Sequence, residues 1–236
     1  MKFHGVTGQT LNLPASTQVY ETLRAQIISL ELKPGARLSR SELAAQFGVS
    51  ASPLREALQR LERDGLVATY RQSRTVVTSI DPGLLQQEHF LRAAVECEVV
   101  NALAAMDDKT PLKKAAAIIK MQRVLLEDTD QIDLFRQLDE DFHKELFAAA
   151  GQSALHVFAS ERTSQMARTR SLDLPSKGKQ ASVVELHEAI IAAILASNRA
   201  EATDMMRLHL SGTIARLPTI MAQHPAYFSQ GSSPAR

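Results

Sequence analysis

Apolar residues follow a helical spacing over most of the chain. Val19, Leu23, Ile27 and Leu30 recur every three or four positions and predict a helix over 17–31. After residue 83 the same spacing continues in stretches that are separated by short polar or glycine-containing breaks. These stretches predict six further helices, over 84–106, 110–127, 131–149, 152–171, 181–197 and 199–222. Six helices with short connections favour an antiparallel bundle.

Residues 39–65 carry the pattern of two short helices joined by a tight turn. They read SRSELAAQFGVSASPLREALQRLERDG. Ser39, followed three residues later by Glu42, predicts a capping box at the start of the first helix. Gly48-Val49-Ser50 is the predicted turn, where glycine allows a left-handed backbone. The arrangement predicts a helix-turn-helix.

The second helix of this motif has one apolar and one polar face. Ser52 is predicted to cap it, with Pro53 at its first position, where a missing N–H costs nothing. Its leucines recur at helical spacing and leave Arg55 and Gln59 on the other face, near the helix start. In helix-turn-helix proteins that part of the second helix enters the major groove of DNA. Because a guanidinium pairs with guanine through two hydrogen bonds, Arg55 is the predicted base contact.

Two β-prone runs follow this helix and change the fold class. Residues 66–70 and 75–78 flank the polar stretch 71–74 and predict a hairpin, which is the wing of a winged helix-turn-helix. The predicted fold is therefore mainly α, with an N-terminal winged helix-turn-helix and a C-terminal all-α antiparallel bundle. The predicted divisions are a flexible arm (1–15), the winged domain (16–80), a linker (81–83), the helical domain (84–223) and a disordered tail (224–236).

Charge is unevenly distributed between the two halves. The chain of 236 residues has a net charge of +1, but residues 1–80 carry ten Lys/Arg against six Asp/Glu and the remainder is acidic. A basic first part fits a DNA-binding domain joined to another module. No apolar run is long enough to span a membrane, no signal peptide is evident, and the single cysteine forbids an internal disulfide. We expect a cytoplasmic protein without a membrane partner.

Four residues of the helical region are spaced so that they could share a metal ion. Asp139 and His143 lie four residues apart on one helix, and His187 and His209 lie at equal distances before and after Asn198, the predicted turn between the last two helices. Equal distances from a turn put two residues at one height. Three imidazoles and a carboxylate suit Zn²⁺ best, with Ni²⁺, Mn²⁺ or Fe²⁺ also possible. The alternative is four ordinary hydrogen-bonded side chains.

Together these regions resemble the GntR family of bacterial transcription regulators, in its FadR-like branch, over about residues 17–222. The stretch PGARLSRSELAAQFGVSASPLREALQRLERDGLV is similar to that family's winged-helix signature. Arg92 and Glu96 match an R-x-x-x-E motif of the helical effector domain. Residues 139–143 match its D-x-x-F-H motif, and His187 and His209 match the remaining metal positions. The predicted six helices are similar to the vanillate-regulator-type subgroup.

The resemblance implies a homodimeric repressor that binds a palindromic DNA operator, carries a divalent metal and responds to a small organic acid. Ser50 and Ser52 are predicted to contact phosphates, and the wing adds its own polar side chains. Ser41 stands where the family often has arginine, and Ala51 also replaces a frequent arginine, so the operator sequence does not transfer from relatives. The candidate DNA-binding residues are Ser41, Ser50, Ser52, Arg55, Arg71, Gln72 and Arg74.

The acid is expected to bind the metal, with Arg92 holding its carboxylate or a second polar group. The candidate effector-binding residues are Arg92, Glu96, Arg162 and Met166, and the metal ligands are Asp139, His143, His187 and His209. One alternative is the same regulator with a purely structural metal and a non-carboxylate signal. Another is a metalloenzyme with an accessory DNA-binding domain, against which no nucleophile–base pair stands out. We therefore expect no enzymatic activity.

Overall fold

The computed structural model describes residues 13–70, 74–127 and 130–229. Within those residues it contains an N-terminal domain of helices with a small sheet, followed by a wholly helical domain. The predicted winged helix-turn-helix and the helical C-terminal domain are confirmed. The elements of the first domain are α1 (Ala15–Ile28), β1 (Arg37–Leu38), α2 (Arg40–Phe47), α3 (Ala51–Arg63), β2 (Val67–Tyr70) and β3 (Arg74–Val77).

Local chemistry fixes the turn of the helix-turn-helix. The Ser39 hydroxyl accepts a hydrogen bond from the Glu42 amide at 3.4 Å and caps α2. Gly48 ends α2 in the left-handed conformation, with φ 62°. The prediction that Ser52 caps α3 is wrong, because Ser50 occupies that position and α3 begins at Ala51. The first-turn N–H groups of a helix have no intrahelical partner, so Pro53 is tolerated there without marking the first position.

The sheet closes one side of the first domain. Its order is β1-β3-β2, with both pairs antiparallel and Thr69 opposite Thr75. The sequence did not predict β1, because two residues are too short to show alternation. Leu23, Leu61 and Leu66 are fully buried and belong to the core that joins the helices to the sheet.

The second domain contains more helices than the six predicted. Its α-helices are α4 (Pro82–Ala105), α5 (Lys113–Leu125), α6 (Ile132–Ala149), α7 (Ser153–Ser160), α8 (Ser164–Asp173), α9 (Lys179–Leu195), α10 (Arg199–Ala215) and α11 (Leu217–Gln223). Short 3₁₀ helices cover Thr110–Leu112 and Pro225–Tyr227. Among the helices of these described residues, none is long and apolar enough to cross a membrane.

Two predicted helices are each broken in two. The helix predicted over 152–171 is interrupted after Ser160, where the Arg162 amide closes a tight turn on the Ala159 carbonyl at 3.0 Å. The Thr163 hydroxyl donates to the same carbonyl at 3.1 Å. The helix predicted over 199–222 is interrupted at Arg216, because Pro218 has no N–H to continue the ladder.

The structure describes both chain segments at the junction between the domains, 80–83 and 224–229. Pro82 and Gly83 form the first turn of α4, and Asp81 caps it by accepting from the Gly83 amide at 2.8 Å. The amide of Ile80 donates to the Tyr227 carbonyl at 2.8 Å. Phe228, in the predicted disordered tail, is buried beside Ile80 because an aromatic ring gains by leaving water.

Helix α8 lies against both domains. The Arg168 side chain is fully buried and donates to the Thr78 carbonyl at 2.6 Å, next to the end of β3. The Ser171 hydroxyl donates to the carbonyl of Ile28, at the end of α1, at 2.7 Å. The winged domain is therefore held directly to a helix of the second domain.

Candidate metal centre, ligand cavity and DNA-binding face

The structure brings the four predicted ligand residues together inside the helical domain. Asp139 and His143 lie on α6, His187 on α9 and His209 on α10. One ligand atom from each residue lies within 4.8 Å of the others. Asp139, His143 and His187 are buried, and His209 is half-buried. A group of three imidazoles and one carboxylate at this spacing could hold a divalent ion.

The helix pairing explains why the histidines meet. Ser197 adopts a left-handed backbone with φ 56°, and Asn198 caps α10 by accepting from the Glu201 amide, so α9 and α10 run antiparallel. The ring centroids of His187 and His209 are consequently 4.6 Å apart. Phe142 stacks on the His187 ring at 3.8 Å and closes the apolar side of the cluster.

Several buried atoms of the cluster lack hydrogen-bond partners within the described residues. Among them are Asp139 Oδ1 and His187 Nε2, which lie 3.4 Å apart. Leaving such atoms unsatisfied in a protein interior costs about 1–3 kcal/mol each. A divalent cation between them would satisfy both. Burial, followed by the charge of nearby groups, lowers the pKa of His187 and His209 well below the usual value, and neutral imidazole is the form that binds metals.

Polar contacts outside the cluster orient two of its histidine rings. His187 Nδ1 lies 2.9 Å from Gln122 Oε1, and His143 Nδ1 lies 2.6 Å from Glu96 Oε2. Both oxygens are acceptors, so the Nδ1 atoms carry the protons and the Nε2 lone pairs face the cluster. Although burial raises it, the charge of Arg92 and the contact with His143 hold the pKa of Glu96 well below its usual range. Nothing in the sequence indicated that Gln122 would be the partner of a histidine in the cluster.

Arg92 and Glu96, both predicted effector contacts, form an ion pair beside the cluster. Arg92 Nε donates to Glu96 Oε1 at 2.6 Å, and both side chains are largely buried. Arg92 Nη2 is also 3.4 Å from His143 Nε2. Glu96 therefore orients His143 and Arg92 at once.

Sequence reasoning missed Arg170, which lies beside the cluster with its side chain 15% exposed. Its guanidinium contacts the Asp139 carboxylate directly and lies 3.8 Å from Glu140. Burial, together with the like charge of Arg92, lowers the pKa of Arg170 to about 9. A signal did exist, because Arg170 lies one turn after Met166, which is on the candidate list.

Arg162, by contrast, lies away from this site. The break before α8 takes it off the face that carries Met166. Its guanidinium lies over the Phe158 ring at 3.8 Å and donates to the Phe158 carbonyl.

A cavity of about 290 Å³ adjoins the cluster. It shares His143 with the cluster, and Arg92 and Arg170 bring positive charge to its wall. Met166 adds an apolar surface, and Arg24 of α1 completes one side, so the cavity lies where the two domains meet. A space of this size fits a small organic molecule.

The candidate DNA-binding residues lie on the surface of the first domain. Ser50, Ser52 and Arg55 are exposed at and after the start of α3, and Ser41 is exposed in the first turn of α2. Arg74 is exposed in β3, with its guanidinium 4.9 Å above the Tyr70 ring. Arg71 and Gln72 lie outside the described residues.

Comparison with known proteins agrees with this division. A profile described as "Bacterial regulatory proteins, gntR family" matches residues 15–77, and one described as "FCD domain" matches residues 89–212. An HTH-type transcriptional regulator from an unstable DNA locus of Streptomyces ambofaciens is 32% identical, with 89% of this chain and 88% of that protein covered. The HTH-type transcriptional repressor RspR of Escherichia coli is 25% identical, with 92% and 95% covered.

Solved structures share the fold. Escherichia coli McbR/YncC superposes with a TM-score of 0.75 at 19% identity, covering 90% of this chain and 99% of that chain. A GntR transcriptional regulator from Rhodococcus sp. RHA1 has a TM-score of 0.70 at 24% identity, covering 86% and 97%. The matched FCD profile spans more than half of the chain and agrees with the FadR-like branch. The chain therefore belongs to the gntR family of bacterial regulatory proteins, as a transcriptional regulator in which an FCD domain follows the winged helix-turn-helix.

Proposed function

We propose that the protein is a homodimeric DNA-binding repressor whose helical domain holds a divalent metal ion and releases DNA when a small organic acid binds. One observation carries this proposal. The four-residue cluster and a cavity with two largely buried arginines, Arg92 and Arg170, share a wall at His143. That combination offers a carboxylate a place to bind, next to the domain that contacts DNA.

Asp139, His143, His187 and His209 would hold the ion. Zn²⁺ suits this ligand set best, and Ni²⁺, Mn²⁺ and Fe²⁺ are alternatives. When bound, the ion would supply positive charge and act as a Lewis acid towards a carboxylate. The unpartnered atoms Asp139 Oδ1 and His187 Nε2 support its presence.

The arginines of the cavity would bind the acid. The guanidinium groups of Arg92 and Arg170 flank the cluster and can donate paired hydrogen bonds to a carboxylate. Arg92 is preset by Glu96, so little side-chain entropy is lost when it binds. Met166 excludes water from one side of the ligand. Arg162 lies away from the cavity, so the effector contact expected of it finds no support.

Helix α8 is the proposed route from the acid to DNA. Arg170 lines the cavity, and the next residue, Ser171, bonds the end of α1. A ligand that moves Arg170 therefore acts on the attachment of the winged domain. Binding must favour one arrangement of the two domains for DNA to be released.

The exposed start of α3 would read the operator. Arg55 would contact a guanine edge, while Ser50, Ser52 and Ser41 would bond phosphates. Arg74, together with Arg71 and Gln72, would serve the wing. Two such domains in a dimer would match a palindromic operator. The relatives RspR and the gluconate operon repressor of Bacillus subtilis, 28% identical over 194 residues, support the assignment as a repressor.

Thermal unfolding of the zinc-loaded protein against a panel of small acids tests the proposal. We expect one acid class to raise the melting temperature, with the effect lost after chelation or in Asp139→Ala. Asp141→Ala, on the same helix but outside the cluster, should keep it. A shift that survives both chelation and Asp139→Ala would overturn a role for the metal in binding. No shift from any acid would favour the structural-metal alternative with a non-carboxylate signal.

A further inference from the structure

We propose that the cavity contains a second anion subsite, formed by Arg24 of α1 and Arg136 of α6, and that the effector is a dicarboxylic acid. Its second carboxylate would contact the DNA-binding domain itself. This inference rests on the proposed function, because the first carboxylate takes the inner position beside Arg92 and Arg170.

Arg24 lies in the winged domain but lines the cavity of the other domain. Its Nη2 donates to the Ser160 carbonyl, at the end of α7, at 3.0 Å. Among the described residues it forms no ion pair with a carboxylate. An arginine has five N–H donors, so most of those on Arg24 remain available to a ligand.

Arg136 of α6 lines the same cavity and also has donors that are not used. Its Nε is buried and has no hydrogen-bond partner within the described chain. Its guanidinium is 3.4 Å from Asp133, a carboxylate whose side chain is 83% exposed, and such exposed pairs contribute little. Arg136 also borders a surface groove with Glu21 and Ala25, so it lies against α1.

The charge of the cavity wall favours an anion with two acidic groups. Two of its glutamates are already engaged, Glu96 by Arg92 and His143, and Glu140 by His156 at 3.3 Å. The third, Glu21, is exposed. The wall carries four arginines against these three glutamates: Arg24, Arg92, Arg136 and Arg170. One pair of arginines lies at the histidine cluster and the other on the α1 side, and a monocarboxylate can engage only one of them.

A ligand that reaches Arg24 acts on the helix that supports the DNA-reading helix. Helix α1 packs against α3, and the Tyr20 hydroxyl donates to Asp64, at the end of α3, at 2.6 Å. The outer subsite thus makes the ligand a direct link between the two domains. A monoacid would fill the inner position without forming this link.

Calorimetric titration of the full-length, zinc-loaded protein tests this subsite. The probes are diacids from malonate to adipate and the monoacids of matching chain length. The variants are Arg24→Gln and Arg136→Gln. Arg123→Gln, an exposed arginine on α5 that pairs with Glu188, is the matched control for the lost charge. Arg24→Lys keeps the charge but loses the paired geometry.

We expect one diacid to bind the wild type at least about tenfold more tightly than its matched monoacid. Arg24→Gln and Arg136→Gln should each remove most of that advantage and leave monoacid affinity within about twofold, because charged hydrogen bonds to one carboxylate are lost. The advantage of the diacid in Arg24→Lys should be intermediate between those in the wild type and in Arg24→Gln. Arg123→Gln should bind both acids as the wild type does. Hydrogen exchange of Ala15–Ile28 should slow with the diacid in the wild type and not in Arg24→Gln.

The two proposals fail in different ways. The outer subsite is overturned if no diacid binds more tightly than its matched monoacid. It is also overturned if the Arg24 and Arg136 variants reduce the affinity for both acids equally, or for neither. Acid binding at the inner position stands in both cases. The proposed function fails if the wild type binds no acid, or if Asp139→Ala binds acids as tightly as the wild type does. The outer subsite then fails with it.

Discussion

The proposed DNA-reading face, formed by Ser50, Ser52 and Arg55 at the start of α3, and the histidine cluster use polar residues in opposite ways. On α3, Ser52 and Arg55 are exposed and free to contact another molecule. In the helical domain, Asp139 and His187 are buried, and the protein interior already determines their orientation. An exposed polar residue is available to a binding partner and has few contacts within the protein, so its loss should change binding without changing stability. A buried one acts on stability and binding together.

The largest expected effect comes from removing a buried ligand. His187→Ala should weaken zinc binding by more than about 100-fold, because it removes one of the four donors. It also leaves a cavity under Phe142, which stacks on that ring. Zinc titration against a competing chelator measures the affinity. His89→Ala, a histidine of α4 outside the cluster, should bind zinc as the wild type does. Unchanged affinity in His187→Ala would remove His187 from the ligand set.

Glu88, at the joint between the domains, is a further polar group whose burial should affect stability. This carboxylate of α4 accepts from the amides of Gln165 and Met166 at the start of α8, and burial raises its pKa from 4.5 to about 7. The folded protein holds the proton after the unfolded chain has lost it. The contribution of Glu88 to the free energy of unfolding is therefore fully present below pH 4.5. It is lost as the pH rises to about 7, by as much as about 3 kcal/mol.

Glu88→Gln should remove this slope and stabilise the protein at pH 8 relative to the wild type, because the amide stays neutral. Urea denaturation at pH 5 and pH 8 measures the difference. The hydrogen bonds from the Met166 and Gln165 amides, followed by the charges of Arg168 and Arg92, lower the pKa of Glu88 and partly offset the effect of burial. A variant that retains the wild-type slope would assign the pH dependence to other groups.

On the DNA-reading face, Arg55→Ala should weaken operator binding by about 1–3 kcal/mol and leave the melting temperature unchanged. Fluorescence anisotropy with DNA selected by the protein from a random pool measures this. Arg63, at the far end of α3, is the matched control and should have little effect when changed to alanine. Loss of stability in Arg55→Ala would break the contrast between the two regions.

The smallest expected effect belongs to the cap of α2. Ser39→Ala should lower the free energy of unfolding by about 1 kcal/mol, because the Glu42 amide loses its acceptor. Ser52→Ala, in the first turn of α3, should change stability less, since Ser52 has no capping role. Chemical denaturation of both variants provides the comparison, and equal losses would contradict it.

The two regions also differ in what their sequence reveals. The helix-turn-helix occupies a continuous stretch, so its cap at Ser39 and its turn at Gly48 were both predictable from local chemistry. The start of α3 was misplaced because Pro53 is tolerated throughout a first helical turn. Strand β1 depends on pairing with β3, a tertiary contact that two residues do not encode.

The histidine cluster depends on distances across the fold. The turn before α10 allowed His187 and His209 to be placed at one height, since equal spacing from a turn is readable. Gln122 was not predictable, because a glutamine within a helix has no spacing that marks it as a histidine partner. Arg162 was misplaced because the predicted helix over 152–171 is broken before α8, whereas Arg170 was missed although it lies one turn after Met166.

The pairing of Ile80 with the segment 227–229 has a consequence for the order of folding. Ile80 is made early, but its backbone partners Tyr227 and Ser229 follow only after the whole helical domain has been synthesised. A chain that folds during synthesis forms its N-terminal domain first. The winged domain can therefore reach its native tertiary structure while still free to turn, and its attachment becomes complete only after residue 229 has been synthesised.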